Sequence, residues 1–237
     1  MKHSASTARF LSGALLATCL WVGARDAALA GEPMPETSPD GLRLQQSKDA
    51  RMVYIRPGAS FAAYDRVAIL DTDVQFAKKW QRDYNADTAG VQNRVTTADM
   101  ERMKAGIASE FRKVFAAELQ KGDGYKVVES AGPGVLVLRP ALLEVQVTAP
   151  ELQLGDARRT LARSAGQMTL YLELWDSDNK TILARIMDSQ EDDSMGARAR
   201  RMDRGRNKEA LDAMLSDWAV KLRKHLDAAR AQRPAPQ

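Results

Sequence analysis

Two aspartates in the first third of the chain have the spacing that most readily suggests chemistry. Asp71 and Asp73 stand two apart within a run that is predicted to be a strand, so their side chains share one face. Paired carboxylates can bind calcium or divide the roles of general acid and general base, and Glu129 is a third candidate for such a pair. The alternative is a solvent-facing stretch of strand, and this is the interpretation that we favour.

A cluster of arginines near the C-terminus is a candidate binding patch for anionic lipid head groups or a cell-wall polymer. Its members are Arg198, Arg200, Arg201, Arg204 and Arg206. Three acidic residues, Glu191, Asp192 and Asp193, precede them in the chain. The alternative is a solvated loop in which these charges balance one another, and charge runs are mostly of that kind.

Two aromatic residues and one histidine complete the set of candidate site residues. Trp80 and Tyr84 lie in 77–95, which shows no clear period and is predicted to be a long loop. Their rings could stack on a sugar or pack against a neighbouring protein, and burial against the sheet is the alternative. His225 lies near the end of a predicted helix, where we expect a surface residue rather than a catalytic base.

The composition excludes several classes of function. The chain has 237 residues, of which 44% are hydrophobic and 28% charged, as in ordinary globular proteins. Because 35 basic residues face 31 acidic ones, the net charge of +4 is a poor argument for a nucleic-acid partner. With one cysteine and two histidines in the whole chain, we expect neither a cofactor nor a metal site.

The first thirty residues have the pattern of a signal peptide. Lys2 and Arg9 make a positive start, an apolar run over 10–21 follows, and 28–30 reads Ala-Leu-Ala, the small-x-small form that precedes a cleavage site. Cleavage near Ala30 predicts a periplasmic protein. The alternative is a lipoprotein of the outer membrane acylated at Cys19, which would be the only route to the membrane, although Thr18 departs from the usual lipobox.

Hydrophobic periodicity predicts the elements of the rest of the chain. The proline-containing stretch 31–45 is predicted to be a flexible linker, and 52–55 an edge strand or an extended segment that ends in a turn. Residues 64–76 are predicted to be one strand, and Thr96 or Thr97 to cap a helix that ends near Gly122.

The second half of the chain is predicted to contain most of the sheet. Two paired strands are expected over 124–140, joined by Gly-Pro-Gly, and Pro140 suggests an edge position or a bulge. A hairpin over 168–187 has the strongest strand signal. A second amphipathic helix begins near Asn207 and buries Leu211, Met214, Leu215, Trp218, Leu222 and Leu226. The tail 231–237 is expected to be disordered.

These elements predict an α+β fold, with a mostly antiparallel sheet of about five strands and two amphipathic helices packed on one face. We expect a single domain over 46–230, between the linker and the disordered tail.

Several short motifs resemble a bacterial envelope family labelled domain of unknown function 3313. The first is a Tyr-x-x-Pro-Gly-x-x-Phe entry that begins at Tyr54. The others are Gly124-Tyr125 at the start of a strand, Gly-Pro-Gly over 132–134, and a Glu-x-x-Asp hairpin that begins at Glu173. The resemblance covers roughly residues 41–190. It implies an exported protein, commonly a lipoprotein, and it brings no established reaction or catalytic residue.

We therefore expect a non-catalytic exported envelope protein, an accessory or binding module in the periplasm or at the outer membrane. Its partner would be another envelope protein or a cell-wall or lipid component. The alternative is a small periplasmic hydrolase or carbohydrate-active enzyme that uses Asp71, Asp73 or Glu129, and it requires two of these carboxylates to converge in a pocket. A lipid-sized cavity between sheet and helices is a third possibility, which the sequence leaves open.

Overall fold

The computed structural model describes residues 34–87, 94–147, 160–162, 166–191, 200–202 and 204–232. For 160–162, 200–202 and 204–207 the description covers the backbone alone. The chain divides into two compact units, Met1–Met34 and Pro35–Gln237, and the second holds all the elements described below. The signal peptide predicted for 1–30 and residues 233–237 of the predicted tail lie outside the described residues.

The described part of the chain contains ten strands and three helices. The strands are β1 (Arg43–Gln45), β2 (Met52–Ile55), β3 (Arg66–Ile69), β4 (Asp73–Phe76), β5 (Lys126–Val128), β6 (Val135–Val147), β7 (Thr160–Ala162), β8 (Gly166–Asp176), β9 (Thr181–Glu191) and β10 (Arg200–Met202). The helices are α1 (Trp80–Ala86), α2 (Thr97–Leu119) and α3 (Arg204–Ala231).

Eight of these strands form one mixed sheet. Its order is β1-β2-β9-β8-β6-β3-β5, and β4 pairs with β6 beyond the end of β3. Four neighbouring pairs are antiparallel, namely β1 with β2, β2 with β9, β9 with β8, and β8 with β6. In contrast, β3 pairs in parallel with both β5 and β6, and β4 pairs in parallel with β6. The α+β class is confirmed. The prediction of about five mostly antiparallel strands is wrong, because it missed the short strands and the parallel half of the sheet.

The two strands expected to pair over 124–140 do not contact each other as partners. β3 lies between β5 and β6 and is parallel to both. Its residues Val67, Ala68 and Ile69 are all at most 2% exposed. A strand that is apolar on both faces belongs in the centre of a covered sheet, and a hairpin of β5 with β6 would have left β3 at an edge.

The single strand predicted over 64–76 is two strands. β3 pairs with β6 up to Leu138, and β4 begins its pairing at Ala141. Pro140 falls between these two pairings, where the missing N–H of proline leaves no ladder hydrogen bond unmade. The edge position suggested for Pro140 is therefore wrong, since β6 lies in the interior of the sheet. The irregularity suggested for this strand is present a few residues later, between Leu143 and Gln146.

The hairpin and both long helices are confirmed. β8 and β9 pair antiparallel along their length, and α2 begins at a capping box in which Thr96 and Asp99 exchange hydrogen bonds. The buried stripe of α3 contains Met214, Leu215, Trp218, Leu222 and Leu226, while Leu211 is half-buried. All of them pack with α2 and one face of the sheet in a single hydrophobic core.

Three predicted loop or edge segments are more structured than expected. The predicted loop 77–95 contains α1, which begins after Lys79 in the left-handed conformation. β2 is not an edge strand, because β1 pairs along its outer side. The predicted linker 31–45 includes β1 and the fully buried Leu42, which packs with Tyr54 and Ile182 on the sheet face opposite the helices.

Candidate functional site

The sheet is wider than the layer of helices that covers it. Seven strands along the sheet order, about 4.8 Å apart, span about 29 Å, whereas two helices about 10 Å across cover only about 20 Å. α2 contacts β4 and β5, and α3 contacts α2 and β8. β2 and β1 therefore extend beyond α3, and an apolar strip of the sheet is left beside this helix.

A cavity of about 670 Å³ occupies this strip. Its floor is the helix-facing side of three adjacent strands, with Val53 and Ile55 on β2, Leu172 and Leu174 on β8, and Ala184 and Ile186 on β9. Its wall is formed by Trp218, Leu222 and Leu226 of α3, and Phe61 lines it from the β2–β3 connection. Clefts of about 300–1,000 Å³ that are lined mainly by apolar side chains are typical of ligand sites.

One end of the cavity is polar. Asp188 follows Ile186 on the same face of β9, and its carboxylate accepts the indole N–H of Trp218 at 2.9 Å and the backbone N–H of Arg51 at 3.1 Å. Trp218 is 3% exposed, so its N–H requires a protein partner. Asp188 thus joins α3 to the sheet where the floor changes from aliphatic to charged.

The loop between β1 and β2 contributes a second carboxylate to this end. Asp49 Oδ2 lies 2.8 Å from Nε2 of His225 and 3.8 Å from Nζ of Lys224. The hydrogen bond from His225 is the main cause that lowers the pKa of Asp49. The loop is therefore tied to α3 at the mouth of the cavity.

Lys221 gives this end a cation as well. Its Nζ lies 2.7 Å from Asp217 one turn earlier on α3. That hydrogen bond is the largest cause that raises the pKa of Lys221, and the charges of Asp188 and Asp49 act in the same direction. Groups of both signs thus meet at one end of a cavity whose floor is otherwise apolar.

The opposite face of the sheet carries a buried polar cluster around Glu173, which is 7% exposed. Its carboxylate accepts Tyr171 Oη–H at 2.8 Å, Trp175 Nε1–H at 3.1 Å and Arg185 Nη2–H at 3.1 Å. Burial, followed by the hydrogen bond to Glu173, raises the pKa of Tyr171 to about 12. The carboxylate is fully engaged, and the cluster is typical of a structural network.

This cluster anchors the segment that precedes β1. Arg185 donates from Nη1 and Nη2 to the two carboxylate oxygens of Asp40, at 3.2 and 2.7 Å. The hydrogen bond from Arg185, then that from Ser38, lowers the pKa of Asp40 from its ordinary 3.8 to about 2. The start of the folded unit is therefore held to the sheet by a bidentate ion pair.

The three carboxylates of the hydrolase alternative do not line the cavity. Asp71 and Asp73 are exposed, and Asp73 accepts a hydrogen bond from Gln75 at 2.6 Å. The side chain of Glu129 is 90% exposed and pairs with Nη2 of Arg112 at 2.6 Å. The hydrolase alternative requires two of these carboxylates to converge in a pocket, and none of the three lines this cavity.

The other candidate residues are placed only in part. Trp80 stacks on Tyr84 with ring centroids 5.5 Å apart and contacts Phe76 at 4.8 Å, so these rings form a half-buried row. The side chains of the candidate arginines, like Cys19, lie outside the described residues; Arg200 and Arg201 belong to β10, and Arg204 and Arg206 to the start of α3. The arginine patch and the acylation site stay predictions.

Sequence reasoning missed the residues that line the cavity. The alternation of β8 and the stripe of α3 were both recognised in the sequence, but as contributors to the core. The one signal in the sequence was the number of predicted strands compared with the number of helices. A sheet with more strands than two helices can cover must leave part of one face open.

A family comparison accounts for most of the chain. A family model matches residues 37–220, which include every strand that the structure describes and most of α3. The chain belongs to the family described as Protein of unknown function (DUF3313). This confirms the resemblance found in the sequence, and the description of the DUF3313 family states no activity. No curated protein matches this DUF3313 chain.

Solved structures share distant likeness with this DUF3313 protein. A variant of the PelC dodecamer from Paraburkholderia phytofirmans is 13% identical, over 73% of this chain and 97% of that chain, with a TM-score of 0.38. A minor lipoprotein from Acinetobacter baumannii is 14% identical, over 73% of this chain and 98% of that chain, with a TM-score of 0.30. We draw no function from similarities at this level.

Two further findings concern the described part of this DUF3313 chain. Among its described residues, no three or more His, Cys, Asp or Glu side chains are grouped as a metal site would require. Neither α2 nor the described length of α3 is apolar enough over 18 residues to cross a membrane.

Proposed function

We propose that this chain is a non-catalytic exported protein of the bacterial cell envelope that acts as a binding module. The observation that carries the proposal is the apolar cavity of about 670 Å³ beside α3. Its volume lies within the range of about 300–1,000 Å³ that is usual for small-molecule sites, and its walls are mainly apolar with a few polar groups at one end, as such sites require.

Binding rather than catalysis is supported by the state of the polar groups at the cavity. Asp188 is held by Trp218 and Arg51, and Asp49 is held by His225. A general base must lie within hydrogen-bond reach of the proton that it removes, with a second group in a matching role. The carboxylates at this site instead connect the sheet and a loop to α3.

Export is supported by the pattern of the first thirty residues. In this proposal the mature protein begins near Gly31 in the periplasm, and acylation at Cys19, with attachment to the outer membrane, is the alternative. The mass of the mature N-terminus distinguishes the two, because only the acylated protein retains residues 19–30 together with a lipid. A protein that retains residues 1–18 in the cytoplasm contradicts export altogether.

The partner in this proposal is an apolar ligand or another envelope component. The predicted arginine patch would serve an anionic surface, and replacing Arg200 and Arg201 by glutamine should weaken retention by anionic vesicles without changing occupancy of the cavity. Equal retention of the variant and the native protein contradicts that role for the patch.

Binding is tested with an apolar fluorescent dye such as N-phenyl-1-naphthylamine. We expect one saturable site on the purified mature protein. Ile186→Phe, which places a bulkier aromatic side chain on the floor of the cavity, should weaken dye binding by about tenfold or more. Met187→Phe is the matched control, because its side chain projects from the opposite face of β9. A protein that binds no dye, or that loses dye equally with both variants, contradicts the proposal.

A further inference from the structure

The cavity changes in character along its length. At one end its floor is made by Ile55, Leu174 and Ala184, which are side by side on adjacent strands. The floor ends at Asp188, four residues beyond Ala184 on β9, which in a strand is a distance of about 13 Å from Ala184. Along the strands the site therefore passes from purely aliphatic to charged, which is the profile of an amphiphile that lies lengthwise.

The size of the cavity favours a slender occupant. A three-turn helix about 10 Å wide and about 16 Å long fills more than about 1,000 Å³, so the 670 Å³ of the cavity would take a partner helix only in part. A single acyl chain can follow the strip between Ile186 on the floor and Leu222 on the wall.

The charged end has partners for both a cation and an anion. Asp188 and Asp49 are carboxylates that each retain unused lone pairs, since a carboxylate can accept about four hydrogen bonds. Lys221 and His225 lie on one side of α3, one turn apart, and both line the mouth. A head group with a single negative charge would meet two carboxylates, and a head group with a single positive charge would meet Lys221.

Resting on the binding function proposed above, we infer that this cavity holds one single-chain lipid with a zwitterionic head group, of the lysophosphatidylethanolamine class. Its acyl chain lies over β2, β9 and β8 against α3. Its ammonium group faces Asp188 and Asp49, and its phosphate faces Lys221 and His225. The head group thereby adds to ion pairs that already connect the β1–β2 loop with α3.

The test measures binding of three lipids to the purified mature protein by isothermal titration calorimetry, each below its micellar concentration. The probes are lysophosphatidylethanolamine, a fatty acid of the same chain length, and a short-chain diacyl phosphatidylethanolamine. We expect one molecule of the first per protein, bound at least about tenfold more tightly than either of the others. Tighter binding of the fatty acid overturns the head-group assignment, and tighter binding of the diacyl lipid overturns the single-chain assignment.

Variants locate the lipid within the site. Ile186→Phe and Val53→Phe should each abolish binding, whereas Met187→Phe and Met52→Phe, which face the other side of the sheet, should not. Far-UV circular dichroism identifies any variant that fails to fold, and two blocking positions on different strands keep the test decisive. Lys221→Met should weaken binding of the zwitterionic lipid by about tenfold or more while changing binding of the uncharged dye less than threefold. Equal losses for lipid and dye overturn the head-group orientation.

The outcome separates the two proposals. If the dye binds and Ile186→Phe blocks it, but no lipid competes, the lipid inference is overturned and the binding module stands. If neither dye nor lipid binds, both proposals are overturned.

Discussion

Trp218 of α3 donates its indole N–H to the carboxylate of Asp188 on β9 across 2.9 Å. Trp218 is 3% exposed, and the same carboxylate accepts the backbone N–H of Arg51, the residue before β2. One side chain thus connects the last helix, a central hairpin and the outer strands. It also marks the point at which the apolar cavity becomes polar.

The first prediction concerns this hydrogen bond. Asp188→Ala leaves the buried indole N–H without an acceptor, so we expect it to lower the free energy of unfolding by about 1–3 kcal/mol. Asp188→Asn keeps an acceptor in place and should cost less than half as much. Guanidinium unfolding followed by circular dichroism gives both values. Equal losses in the two variants show that the hydrogen bond is not what the carboxylate supplies.

The second prediction concerns Gly124, where the chain leaves α2 and enters β5. A Cβ at this position would overlap the carbonyl oxygen of Leu119 and lie 2.6 Å from Nη1 of Arg223. Both atoms are already engaged with each other. Gly124→Ala should therefore cost about 1–3 kcal/mol in the free energy of unfolding, as overpacking does.

Gly106 is the matched control for that substitution. It lies within α2, and a Cβ there would have nothing within 4 Å. Gly106→Ala should raise the free energy of unfolding by about 0.5–1 kcal/mol, because alanine loses less conformational freedom in a helix. Urea titrations of both variants compare the two directly, and a stabilising Gly124→Ala refutes the close approach.

The third prediction concerns the end of α2. Nη1 of Arg223 donates to the carbonyl oxygens of Glu118, Leu119 and Lys121 at 3.2, 2.8 and 3.2 Å. The last carbonyls of a helix have no partner within the helix, so a cation from α3 satisfies them. Arg223→Met should lower the free energy of unfolding by about 1.5–3 kcal/mol.

Lys224→Met is the control for Arg223→Met, since the side chain of Lys224 is 70% exposed. It should change stability by no more than about 0.5 kcal/mol. Thermal unfolding in the same buffer measures both variants. Similar melting temperatures for the two would mean that the cap on α2 contributes nothing.

The fourth prediction concerns pH. Because the pKa of Asp40 is lowered from 3.8 to about 2 in the folded protein, its ion pair with Arg185 stabilises the fold fully above the ordinary value. This contribution is lost as the pH falls from 3.8 towards 2. The pair is partly exposed, so we expect less than about 1 kcal/mol at neutral pH.

Asp40→Asn reveals this contribution by difference. The gap in urea midpoint between the native protein and the variant should be largest at neutral pH and should close between about pH 4 and pH 2. Proton uptake by the other carboxylates affects both proteins alike. A gap that stays constant over this range would show that Asp40 is not the titrating group.

Much of the local structure follows from patterns that span a few residues. The capping box at Thr96 and Asp99, the 3.6-residue stripe of α3 and the alternation of β8 and β9 each depend on neighbours in the chain. The missed elements, α1 and the three-residue strand β1, are too short for a period to show. Pairing with the rest of the sheet, rather than local propensity, places such short strands.

Strand order and the cavity are properties that only the tertiary structure decides. Val67, Ala68 and Ile69 are apolar wherever their strand lies, but only packing places β3 between β5 and β6. Likewise Leu172 and Leu222 read as core residues, and nothing near them in the chain shows that space is left between them. That space arises because the sheet has more strands than two helices can cover. The number of strands in the sheet is known only once their pairing across the whole fold is known.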